Sequence, residues 1–148
     1  MRVEDFEAGD TDALVQMWRA SFEHGVGIVD PHPLQDQIAY FRQEVLTKHR
    51  VRLAKSDGQI VGFLAANEES VAQLYVRVGH LRQGTGRLLL NLAKDSASGS
   101  LWLFTFARNL RACAFYESQG FTVAQRGFEP FWQLEDVKYV WVRTRDMA

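Results

Sequence analysis

Residues 79–90 read GHLRQGTGRLLL and set Gly84 and Gly86 between Arg82 and Arg87, just ahead of a leucine run. A helix that starts here leaves its first backbone N–H groups without internal acceptors, and together with the helix dipole they attract phosphate. Glycine removes the Cβ that would hold an anion away, and the arginines add positive charge beside it. A plain glycine turn between a strand and a helix fits the same letters. Two phosphate loops do not fit: the dinucleotide fingerprint needs a third glycine where this chain has Leu89, and the P-loop needs lysine where it has Thr85.

The elements that must position this loop follow from periodicity. Residues 1–7 alternate weakly as a strand, and Asp10 is placed to cap a helix carrying Ala13, Leu14, Met17, Trp18 and Phe22 at helical spacing. The loop HGVGIVDPHP follows, and Pro33 opens a second helix through Leu34, Ile38, Phe41 and Val45. Residues 50–55 and 59–66 are β-prone and joined by Asp57-Gly58, a hairpin signal. A strand over 71–78, a helix over 84–97, a strand over 101–106 apolar on both faces, a helix over 109–119 and strands over 121–126 and 137–143 complete the order. Strands that alternate with helices in the middle and pair as hairpins at the ends predict an α/β (α+β) fold. Its sheet is mixed and mostly antiparallel, with about six to seven strands flanked by about four helices.

A chain of 148 residues fits one domain, 1–148. Seventeen Lys and Arg against eighteen Asp and Glu leave a formal net charge of -1, so no global field draws the chain to nucleic acid or an anionic membrane. No segment approaches the roughly 20 apolar residues that span a bilayer, and the amino end lacks a signal-peptide core, so a cytoplasmic protein is expected. A single cysteine, Cys113, and four histidines without HExxH spacing give no expectation of a metal.

The stretch VAQLYVRVGHLRQGTGRLLL, followed by NLRACAFYESQGF, resembles the GNAT acyltransferase superfamily. That superfamily is marked by a strand, a (Q/R)xxGx(G/A) loop at a helix start, and a later N…FYxxxGF helix and turn. The order of elements agrees over nearly the whole chain. Leu81 stands where Gln or Arg is usual, and Gly79 and His80 stand where a proline often precedes the loop.

The resemblance implies acetyl-CoA as co-substrate, with its pyrophosphate on the loop of Arg82, Gln83, Gly84, Thr85, Gly86 and Arg87. It implies that the backbone of Leu74, Tyr75 and Val76 pairs with the pantetheine arm, with Asn109 and Phe115 close to it. Asn109 also reads as a helix N-cap, and Gly120 with Phe121 as the structural end of that helix. Tyr116 is the expected acid: a phenol, with a reference pKa of about 10, is protonated at neutral pH and able to protonate a departing thiolate, although the same residue also reads as a ring that only packs and hydrogen-bonds locally.

The base is open. An alkyl amine also has a pKa of about 10 and must lose a proton before attack. Glu68, with Glu69 beside it, follows the third strand, where many relatives carry a working acid, and it also reads as a charged hairpin tip. His24 and His32 lie in the loop that borders the acceptor pocket in this fold, and an imidazole titrates near neutrality. Cys113 between two alanines reads as a small filler rather than an acyl carrier. The aromatic segment GFEPFWQLED fits an acceptor wall, a homodimer contact or core. The expected reaction is acetyl transfer to a primary amine, by direct attack in a ternary complex. A non-catalytic acyl-CoA sensor is the rival, and a nucleotide-binding protein is disfavoured by the missing P-loop lysine.

Overall fold

The computed structural model describes residues 1–144. Its strands are β1 (Arg2–Asp5), β2 (Arg50–Ser56), β3 (Gln59–Ala66), β4 (Val71–Val76), β5 (Ser100–Phe106), β6 (Thr122–Glu129) and β7 (Leu134–Val142). Its helices are α1 (Thr11–Val26), α2 (Leu34–Tyr40, continued by a π turn at Phe41–Val45), α3 (Thr85–Ser96) and α4 (Leu110–Ser118). The predicted α+β architecture of antiparallel strands flanked by four helices is the one observed.

The strands form two sheets, ordered β1-β2-β3-β4 and β5-β7-β6, and every ladder pair within them is antiparallel. Asp57 at φ 51° and Gly58 at φ 77° close the β2–β3 hairpin, as a turn with two left-handed central residues requires. Ser70, just before β4, forms a parallel bridge with Trp102 of β5, and beyond it the two strands share no ladder. The edge of β4 that faces β5 is therefore left without a strand partner.

Both faces of the first sheet are covered. Leu14, Met17, Trp18 and Phe22 of α1, with Phe41 and Val45, pack on Leu53, Phe63 and Ala65. Leu89, Leu90 and Ala93 of α3, with Tyr116, pack on Val61, Leu64, Leu101 and Tyr139. Alternation along β3 sends Phe63 to one core and Leu64 to the other, which is why QIVGFLAA is apolar almost throughout. Each fully buried Leu or Phe contributes about 1.5–3 kcal/mol.

Two local expectations change. Asp10 makes no side-chain cap on α1, because its carboxylate accepts from the Glu7 amide at 3.0 Å and from Lys55 Nζ at 3.0 Å. The strand LWLFTF buries Leu101 and Leu103 but leaves Trp102 and Phe104 40% and 52% exposed, beneath the Lys138 ammonium. Its second apolar face is snorkelled over by a lysine stem rather than covered by an element.

Candidate active site

The divergence of β4 and β5 opens a cleft of about 1110 Å³ lined by both strands, the N-terminus of α3, α4 and the loop between α1 and α2. Leu74, Tyr75 and Val76 line it from β4, and Phe104, Thr105 and Phe106 from β5. The Val76 carbonyl accepts from Ser21 Oγ at 3.0 Å, so α1 clamps the end of the strand. The Tyr75 phenol is pushed up to about 12 by burial.

At the α3 end, Gly84 is the N-cap, with φ 85° and open space where a Cβ would stand. That φ is left-handed, the region glycine enters without strain. Leu88 N donates to Gly84 O as the first helical bond, so the preceding amides of the turn have no acceptor within the helix. Arg82, itself at φ 63°, and Arg87 line the cleft with Leu81 and His80. This surface fits a diphosphate: bare amides, a helix dipole and two guanidinium groups.

The loop residues are not equivalent. Gln83 lies outside the cleft lining, and the buried Thr85 side chain turns toward Met1 Sδ and Gly62. A Cβ on Gly86 would stand 3.4 Å from Phe115 Cζ and 3.6 Å from Val76 Cγ2, ordinary contact with α4 and β4.

Asn109 caps α4 as its sequence context predicts, with Oδ1 accepting from Ala112 N at 3.1 Å. Its amide packs on Gly25 of α1, where an added Cβ would lie 2.7 Å from Asn109 Nδ2. Gly120, at φ 90°, ends α4, and Phe121 folds back on Tyr116 with ring centroids 5.7 Å apart.

Tyr116 is 7% exposed, lines the cleft, and stands among Phe115, Phe121 and Tyr139. Burial, with Tyr75 and Cys113 nearby, pushes its phenol well above the usual tyrosine range. Both effects disfavour a phenolate, so the phenol stays protonated. Cys113 is half-buried, its Sγ directed at Phe106 O at 3.8 Å, and it is not part of the cleft wall.

The base candidates separate. Glu68 is exposed in the turn before β4, outside the cleft lining, with its carbonyl accepting from Ser98 N and Oγ; Glu69 is exposed beside it. His24 and His32 both line the cleft, but Arg111 Nη1 approaches His24 Nε2 at 3.3 Å and occupies its lone pair. His32 Nδ1 instead bonds Asp30 Oδ1 at 2.8 Å, and its ring stacks on Phe131 at 4.6 Å. Glu129, Phe131 and Trp132 place the aromatic segment in the cleft wall, with Phe131 exposed at its rim, whereas Phe128 is exposed outside the lining.

Spacing gave no hint of Asp30, Arg19, Ser21 or Gln37. Asp30 alone left a trace, in the tetrapeptide DPHP, where two prolines stiffen the chain around His32.

Comparison with known proteins agrees with this geometry. The Acetyltransferase (GNAT) family profile matches residues 11–121. The peptidyl-lysine N-acetyltransferase YiaC of Escherichia coli K12 is 23% identical over 141 residues, covering 95% of this chain and 93% of that protein. YjaB of Escherichia coli, solved in its apo form, superposes with a TM-score of 0.78 at 19% identity, covering 97% of this chain and 98% of that one. YncA of Salmonella typhimurium, solved with acetyl-CoA, superposes with a TM-score of 0.72 at 17% identity, covering 99% and 96%.

The chain belongs to the GNAT acetyltransferase family. It is an N-acetyltransferase that uses acetyl-CoA and an amine acceptor. Among the described residues, no helix is long and apolar enough to cross a membrane.

Proposed function

We propose that this enzyme acetylates the ε-amine of a lysine side chain presented by a peptide or protein, by direct attack on acetyl-CoA within a ternary complex. The observation that carries this reading is one continuous cleft reaching from the amides and arginines at Gly84 to Tyr116 and on to His32, Phe131 and Trp132. One end suits a diphosphate and the other an alkyl ammonium, which aromatic faces and acidic groups such as Asp36 attract. The peptidyl-lysine activity named for its relative YiaC supports the choice among amines.

In this reading Arg82, Arg87 and the α3 amides hold the pyrophosphate, and the free edge of β4 before Val76 holds the extended arm by backbone pairing. Gln83 and Thr85 contribute through their backbone alone. Phe115 packs beside Gly86 and shapes the wall there, while Asn109 sets the start of the helix that carries Tyr116. Tyr116 protonates the departing sulfur. Glu68, on the hairpin before β4, has no part in this proton path.

The test is thiol release from acetyl-CoA with lysine-containing peptides, free lysine and polyamines. Peptide-dependent thiol with a mass gain of one acetyl group is the expected result. Tight acetyl-CoA binding without thiol from any amine would identify a sensor instead, and turnover with small amines alone would move the acceptor away from peptides.

A further inference from the structure

The α1–α2 loop is built around one carboxylate. Asp30, whose side chain is 5% exposed, uses Oδ1 to accept both the His32 amide at 2.9 Å and His32 Nδ1 at 2.8 Å. Arg19 Nη2 holds the carbonyls of Asp30 and His32, its Nη1 stands 3.8 Å from Asp30 Oδ2, and Glu23 Oε2 accepts the Asp30 amide at 2.6 Å. Phe131 stacks on the imidazole with planes 16° apart, and Trp132 meets it edge-on at 4.9 Å. The ring is therefore fixed by its bond to Asp30, by stacking and by an aromatic edge.

An ionised carboxylate only accepts, so the proton of a neutral imidazole sits on Nδ1 and the lone pair on Nε2. Nδ1 is taken by Asp30, so Nε2 is the ring nitrogen free to accept a proton, and His32 lines the cleft. A loop needing only a latch would be served by the Asp30 contacts to backbone. Orienting the imidazole as well matches the way a base is held for proton transfer.

We infer that His32 is the proton acceptor for the attacking amine and that Asp30 is its positioning residue. This rests on the acetyltransferase reading above. His32 Nε2 removes one proton from the bound ammonium, and the freed lone pair bonds to the thioester carbon; the C–S pair departs on sulfur, which takes the proton of Tyr116, and the remaining extra N–H proton passes to the phenolate. The imidazolium is then reset by exchange with solvent, so an alkyl ammonium and acetyl-CoA give an acetamide, free thiol and one proton. Asp30 bonds His32, and Arg19 and Glu23 bond its loop; the other titratable or charged groups that line the same cleft include Asp36, Glu129, His24, Arg111, Arg82 and Arg87.

The deciding variant is His32→Asn, whose side-chain amide can occupy the Nδ1 position and keep the bond to Asp30 while removing Nε2. Kcat with a lysine peptide should fall on the order of 10²-fold, with KM for acetyl-CoA and melting temperature unchanged. A weakly basic acceptor, already neutral at assay pH, should be far less affected, and the acid limb of the wild-type kcat profile should be lost. Asp30→Asn should lower kcat less than His32→Asn. Wild-type kcat and pH profile in folded His32→Asn would overturn the assignment while leaving acetyl transfer intact. Absence of thiol from the wild type with every amine would overturn both.

Discussion

The Phe115 ring stands where a side chain on Gly86 would reach, with Cζ 3.4 Å from the position of an added Cβ. Gly84, two residues earlier, faces open space but holds φ at 85°. Gly84 answers a demand of backbone conformation, whereas Gly86 leaves room for a methyl in ordinary contact with Phe115. Gly86→Ala should fold with melting behaviour close to wild type, since a methyl reaches ordinary contact distance. Gly84→Ala should lose about 1–2 kcal/mol through left-handed strain. Urea titration of both variants separates them, and equal losses would contradict this division.

Tyr116→Phe keeps the ring among Phe115, Phe121 and Tyr139 and removes the proton donor. Kcat should fall by about 10²-fold or more, with acetyl-CoA affinity close to wild type. Burial raises both the Tyr116 and the Tyr75 phenol, so the native state binds more protons than the unfolded chain above the ordinary tyrosine value. Stability from these groups is thus fully present below about pH 10 and declines as pH rises beyond it. Chemical unfolding from pH 9 to 11 should show that decline, reduced in the Tyr116→Phe variant.

Gly25 lies inside α1, where alanine would ordinarily favour the helix by about 1 kcal/mol. Here a Cβ would fall 2.7 Å from Asn109 Nδ2, so Gly25→Ala must displace the side chain that caps α4. It should lower kcat and stability together. Asn109→Ala alone should cost about 1 kcal/mol for the lost cap. In the double variant the clash disappears, so its stability should equal or exceed that of Asn109→Ala; a cycle with additive losses would show that the two residues are uncoupled.

Gln37 Oε1 is buried beside the cleft with no hydrogen-bond partner among the described residues. An orphaned buried acceptor costs about 1–3 kcal/mol, so Gln37→Leu should be neutral or stabilising. If Gln37 serves the acceptor amine, KM for a lysine peptide should rise several-fold with KM for acetyl-CoA unchanged. Equal KM values in initial-rate assays would leave Gln37 without a role in binding.

Much of the local backbone at the candidate site was legible in the chain. The Gly84 loop, the Asn109 cap and the Gly120 stop each depend on a few adjacent residues, and each stands where its local pattern places it. Asp10 misleads because Lys55, 45 residues away, competes for its carboxylate. Trp102 and Phe104 mislead because an apolar side chain does not reveal whether an element will cover it.

The sequence by itself determined where the backbone must turn, which faces are apolar, and that a helix start bares its amides beside two arginines. These are properties of neighbouring residues, governed by sterics and by periods of 3.6 and 2. Tertiary structure alone decided that β4 and β5 part beyond Ser70, that Gly25 meets Asn109, and that His32 rests between Asp30 and Phe131. Those meetings join residues distant along the chain, and only the simultaneous packing of both cores fixes their distances.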